Sequence, residues 1–218
     1  MDMSHLLSIM LETEMSNVDL NADKSATAAG EEVKHPLQNT WSLWFFKNEK
    51  GNQWKDNLRL VTSFSTVEDF WAIYNHIQLS SKLPTGCDYM LFKQGIEPMW
   101  EDVQNREGGR WLLTTDKKKR AQDLDRIWLE TLLCLIGEAF DDASEDICGA
   151  CVQIRQKADK VAIWTTNAHH KDRVMSIGRK FQTRIKLAPE SLFYQKHTDT
   201  ANSASKQGSN KSKYEYII

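Results

Sequence analysis

CGACVQIR (148–155) and KVAIWTT (160–166) are short runs of small, branched and aromatic residues joined by a brief polar stretch, and each reads as a strand. Four more runs of the same kind precede them: WSLWFF (41–46), LRLVTSF (58–64), YMLF (89–92) and RWLLTT (110–115). Elsewhere the period changes to that of a helix. Val67, Phe70, Trp71, Tyr74 and Ile77 form one such set; Leu124, Ile127, Trp128, Leu132, Leu135 and Ile136 a second; Val174, Ile177, Phe181 and Ile185 a third. Ser65 or Thr66 suits the N-cap of the first helix, with Glu68 and Asp69 in its opening turn, and Gly137 suits a left-handed C-cap on the second. Strands outnumber helices, connections are short, and strand and helix do not alternate regularly. The pattern predicts an α+β fold: a single antiparallel sheet of six to eight strands with three helices gathered on one face.

The chain has 218 residues, of which 40% are hydrophobic, enough for one sizeable core and little more. Residues 1–34 begin with Met3, Leu6, Leu7, Met10 and Leu11 at helical spacing and run into the polar NADKSATAAGEE, so a disordered N-terminal arm with a short helix is expected. A folded domain then spans 35–198, a mobile loop or tail rich in Ser, Asn and Lys spans 199–213, and a C-terminal segment spans 214–218. The net charge of -2 argues against a protein that coats nucleic acid by bulk electrostatics, so any such contact must be local. No stretch is apolar enough to span a membrane, and no signal-like segment opens the sequence; with four cysteines this favours a reducing compartment.

Several signals are weaker than they look. Cys148 and Cys151 form a CxxC, but in a regular strand residues three apart point to opposite faces, which suits neither a zinc site nor a dithiol. The acidic run DDASEDIC (141–148) reads as a solvated loop after a helix rather than a magnesium site. His76, His169, His170 and His197 stand in no recognised nucleophile motif. No metal and no catalytic residue is therefore assigned. Eight tryptophans, in contrast, exceed what a core of this size needs, and Trp54 and Trp100 both lie among polar residues.

The strings HPLQNTWSLWFF, VEDFWAIYNHIQLSSKLPTGCDYMLFKQGIEPMWED, GGRW, DLDRIWLETLLCLIGEAFDD and DKVAIWTT, taken in order, resemble the translation initiation factor 4E family from about residue 35 to residue 187. The resemblance implies a curved antiparallel sheet of about eight strands, three long helices on its convex face and a slot for the 7-methylguanosine cap of mRNA in the concave one. It implies a binding protein rather than an enzyme, working as a monomer in the cytoplasm, with the nucleus and mRNA granules as further locations. Trp54 and Trp100 match the family's two sandwich positions, Glu101 its guanine-reading carboxylate and Trp164 the wall beside the N7 methyl group. Arg155 and Lys160 match its phosphate contacts, with Arg110 supporting the site through water or an acidic neighbour and Asp102 buttressing the Trp100 loop.

His35, Pro36, Leu37, Val67, Trp71, Leu129, Glu130 and Gly137 match the surface that receives a Tyr-x-x-x-x-Leu-hydrophobic helix. Such a helix is carried by scaffold initiation factor 4G and by 4E-binding repressor proteins. Ser209 matches a regulatory phosphorylation site, whose phosphate would face Lys157. The chemistry is coherent: methylation at N7 makes the purine a cation, which an indole face attracts, while a carboxylate can accept both N1–H and the N2 amino group. Departures at Cys151, Ala158 and Asn167, and the stretch from Asn167 to His170, leave a second reading open: a paralogue that binds cap weakly and represses or stores messages. A decapping hydrolase would need a metal-binding carboxylate cluster where Arg and Lys stand instead.

Overall fold

Alternation along the strands sorts the side chains into two layers. In β1 (Pro36–Lys47), Trp41, Leu43 and Phe45 enter the main core, whereas Trp44 and Phe46 join a second apolar cluster on the other face. The structure, a computed structural model, describes residues 34–49, 51, 53–199 and 214–218. The N-terminal arm up to residue 33, the 200–213 stretch and Ser209 lie outside the described residues.

Eight strands form one antiparallel sheet: β1, β2 (Leu58–Thr66), β3 (Cys87–Lys93), β4 (Gly109–Thr115), β5 (Ile147–Gln153), β6 (Asp159–Thr165), β7 (Leu192–Lys196) and β8 (Tyr216–Ile217). Their order is β2-β1-β3-β5-β6-β4-β7-β8, so β2 and β8 are the edges. Three helices, α1 (Val67–His76), α2 (Asp125–Ile136) and α3 (Lys171–Ile185), bury residues in the main core on one face of this sheet. The expected architecture is therefore present. The six runs first identified are β1 to β6; β7 and β8 complete the sheet, and residues 214–218 return to it rather than trailing away.

The helix-forming patterns hold with two adjustments. Thr66 caps α1, accepting the Asp69 amide at 3.2 Å, while Ser65 belongs to β2; such a cap contributes about 1 kcal/mol. On α1 only Phe70 is fully buried. Trp71 turns away, 37% exposed, with Phe70 and Tyr74 against its edges.

α2 ends at Gly137 as expected, but not by a left-handed cap: φ there is -90°, and the positive φ of 50° falls on Glu138. Glycine is required for a different reason, since a Cβ would stand 2.8 Å from the Leu133 carbonyl oxygen.

The acidic run also departs from the solvated loop expected of it. It is a 3-10 turn (Asp141–Asp146) whose Asp146 pairs with Arg173 and whose Asp141 pairs with Lys180, both on α3. The carboxylates dock a helix.

Candidate functional site

On the face opposite the helices, strand register builds three rows of side chains. Asp88, Gln153, Lys160 and Thr114 are successive cross-strand neighbours in one row. Met90, Cys151, Ala162 and Leu112 form an apolar middle row, and Phe92, Gly149, Trp164, Arg110 and Gln195 form the third. Gly149 keeps the third row open, because a Cβ there would meet the Phe92 ring at 2.4 Å. Phe92 can then lie edge-on to Trp164, with ring centroids 5.4 Å apart.

Two loops rise over this floor. Trp54 opens a short 3-10 turn (Trp54–Asn57) ahead of β2, stacks one face on Phe46 at 5.3 Å and is 45% exposed. Trp100 lies in the β3–β4 loop, which Asp102 braces by accepting the Glu97 amide at 2.9 Å and the Gln104 amide at 2.8 Å. Asn105, fully buried, donates its side-chain amide to the Glu97 and Met99 carbonyls. Lys55 and Glu97 join the two loops at 3.3 Å; both are exposed, so the pair contributes at most about 1 kcal/mol. Trp54, Trp100, Glu101, Arg110, Arg155 and Trp164 all line one cavity of about 390 Å³ between these loops and the sheet. Lys160 does not line it, but stands on the same face in the charged row.

Electrostatics divides the cavity. Arg155 forks onto Asp88, with Nη2 donating to Oδ2 at 2.7 Å and Nη1 to Oδ1, while Gln153 donates to the same carboxylate at 3.1 Å. Burial raises the Asp88 carboxyl, and Arg155 works against that rise. Of the two supports expected for Arg110, water or an acidic neighbour, no acidic one is present among the described residues: its Nη2 donates to the Gln195 amide oxygen at 3.1 Å, and its buried Nε has no partner among them. Burial holds the Arg110 guanidinium below its ordinary value. Burial also lowers Lys160, and the charges of Arg110 and Arg155 lower it further. Arg110 and Arg155 in the cavity thus lie close enough to Lys160 on the same face to lower it, and the Asp88 carboxylate is engaged by Arg155, which favours an anionic ligand group nearby.

Sequence reasoning missed His197, which lines the cavity with its ring centroid 4.2 Å from that of Trp164. Burial, then Arg110, pushes its pKa down to about 3. A lone histidine at a strand end carries no signal of this. Asp88 was missed too, although an aspartate within the apolar run CDYMLF was a visible clue.

The CxxC reading needs correction. A register shift between Ile147 and Gly149 places Cys148 on the same face as Cys151, both in the second apolar cluster. Burial raises the two thiols to about 12 and about 11, so neither is a ready thiolate.

Across the sheet, His35 binds Glu68 through its amide at 2.9 Å and its ring at 2.6 Å, tying the start of β1 to α1. Pro36 pairs with Thr66, the residue before Val67. Leu37 and Leu129 pack partly buried against the core, Trp71 is exposed on α1, Glu130 is half-buried on α2 and Gly137 is exposed at the end of α2.

Three indoles, a carboxylate and two guanidinium groups lining one cavity on a sheet define a binding protein for a flat ring with an anionic tail. Comparison with known proteins makes this specific. The family model for eukaryotic initiation factor 4E matches residues 36–212, and the chain belongs to that family. It is 62% identical over 170 residues to human eukaryotic translation initiation factor 4E, covering 78% of each chain. Among solved structures it resembles Ascaris suum eIF4E-3, in complex with an m2,2,7G cap (TM-score 0.79, 46% identity, 85% of this chain and 99% of that one). It also resembles Caenorhabditis elegans eIF4E-3, in complex with the 4E-binding protein Mextli and a cap analog (TM-score 0.78, 43% identity, 85% and 100%). The family consists of initiation factors, not enzymes.

Proposed function

We propose that this chain binds the 7-methylguanosine cap of mRNA on one face of its sheet and a partner helix on the other, promoting cap-dependent translation initiation. The observation that carries the reading is the convergence of Trp54, Trp100 and Glu101 on a single cavity that Arg110 and Arg155 also line. A methylated purine carries positive charge, and each indole face attracts it by about 0.5 to 2 kcal/mol. Glu101 accepts the guanine N1–H and N2 amino group together. Trp164, steadied by His197, forms the wall toward the methyl group.

Arg155, Lys160 and Arg110 neutralise the triphosphate. Arg155 is held rigid by Asp88 and so offers its remaining N–H groups without losing much freedom on binding. On the other face, Trp71 with Leu37, Val67 and Leu129 supplies the apolar contact for a Tyr-x-x-x-x-Leu-hydrophobic helix, of the kind scaffold and repressor proteins carry. His35, Pro36, Glu130 and Gly137 border that contact. The expected place of work is the cytoplasm.

Retention on a 7-methylguanosine resin tests the reading. Trp100→Ala and Glu101→Ala are each expected to lose it, and full retention by either variant would contradict the assignment. The repressor or storage reading draws on Cys151, which the structure places in the cavity floor; a wild-type chain that takes up a partner helix but fails to stay on the resin would favour it.

A further inference from the structure

The run DKKKR (116–120) follows β4 and enters neither the core nor the cavity. Lys117, Lys118 and Lys119 form a 3-10 turn, all three are exposed, and none pairs with a carboxylate among the described residues. Asp116 at the start of the turn uses its carboxylate on the Lys118 amide at 2.9 Å, which fixes the turn's shape.

The next residue locks the turn to the cavity. Arg120 donates Nη2 to Asp159 Oδ1 at 2.6 Å and Nε to Oδ2 of the same fully buried carboxylate, and that Oδ1 also accepts the Arg155 amide at 3.1 Å. One buried aspartate therefore holds both the base of the lysine turn and the backbone of a cavity-lining arginine. Thr115 and Thr114, just before the turn, pair across the sheet with Asp159 and Lys160. Arg120 spends its charge on this anchor, whereas the three lysines spend theirs on nothing in the described structure. Lys157 in the β5–β6 turn is exposed at the same corner.

We propose that Lys117, Lys118 and Lys119 receive the phosphodiester backbone of the RNA immediately downstream of the cap. The proposal rests on the cap-binding reading and extends it along the ligand. Once the triphosphate lies against Arg155 and Lys160, the chain leaving it meets this cationic turn, held at a fixed offset. Lysine ammoniums on flexible stems suit a backbone of repeated point charges and read no sequence. The overall charge of -2 makes the effect local to this corner, so it acts on RNA already tethered by its cap.

The test compares 7-methyl-GTP with a short, unstructured capped oligoribonucleotide over about 50 to 200 mM salt. Wild type is expected to bind the oligonucleotide more tightly than 7-methyl-GTP, with the steeper salt dependence. The combined Lys117→Ala, Lys118→Ala and Lys119→Ala variant should keep its 7-methyl-GTP affinity. It should lose about tenfold toward the oligonucleotide at low salt, with the logarithmic salt slope reduced by about 2. Lysine-to-arginine replacements at all three positions should restore the wild-type behaviour. Equal affinity of wild type for both probes, or an undiminished preference for the oligonucleotide in the alanine variant, would overturn the proposal. A wild type that binds neither probe would instead sink the cap-binding reading itself.

Discussion

His197, Arg110 and Trp164 each bring to the cavity a buried polar atom without a hydrogen-bond partner among the described residues. His197 Nε2 and Arg110 Nε both lack a partner, yet both groups line the cavity beside Trp164. Keeping His197 neutral lets its ring pack on the indole without adding a fourth charge to the cluster of Arg110, Arg155 and Lys160. The consequence for stability has a definite sign. The folded pKa near 3 lies below the ordinary 6.5, so the unfolded chain takes the proton more readily than the folded one. Stability is fullest above pH 6.5 and falls as the pH drops from there toward 3. Denaturant midpoints measured across that window are expected to show a shallower acid decline for His197→Gln than for wild type. Equal declines would mean that another group governs the acid limb.

Helix α1 shows what an element's pattern reveals and what it hides. Val67, Phe70, Trp71, Tyr74 and Ile77 have the right period, and the helix forms where they predict it. The period alone puts Trp71 on the buried stripe; the structure turns it outward, held edge-on by Phe70 and Tyr74. The two ring contacts restrict the indole before any partner arrives, so less side-chain freedom is lost on binding, which suits an anchor. Trp71→Ala is expected to abolish binding of a Tyr-x-x-x-x-Leu-hydrophobic peptide in calorimetry while leaving 7-methyl-GTP affinity unchanged; retained peptide binding would place the partner surface elsewhere.

The strands teach a complementary lesson. β1 to β6 were legible because each carries enough branched and aromatic residues to declare itself. β8, at two residues, exists only through its pairing with β7, and β7 was lost among polar neighbours. The β5 bulge was equally invisible: strict alternation sends Cys148 and Cys151 to opposite faces, and only the register shift reunites them.

At the scale of the whole molecule, the sheet separates two surfaces that share a core and touch different ligands. Trp41, Trp111 and Trp128 fill the core with almost no exposure, while Trp54 and Trp71 are exposed on opposite sides of it. That division explains the surplus of tryptophan in the composition. The positions of Trp54, Trp100, Glu101 and Arg155 were readable from motif context, since each sits in a distinctive string. The role of Asp102 in the Trp100 loop was readable as well; what the sequence concealed was the rest of the supporting shell: Asp88 under Arg155, Asn105 inside the Trp100 loop, and His197 against Trp164. The Asp88 and His197 contacts join residues far apart in the chain, which a linear pattern does not encode, and the Asn105 contacts depend on the particular path of its loop.

The central claim is that paired indoles clamp a cationic purine whose edge Glu101 reads. It is tested most directly by titrating the wild-type chain with 7-methyl-GTP and with GTP while following tryptophan fluorescence. Strong quenching and markedly tighter binding are expected for 7-methyl-GTP, because only the methylated base carries the charge that the indole faces attract. Equal quenching and equal affinity for the two nucleotides would contradict it.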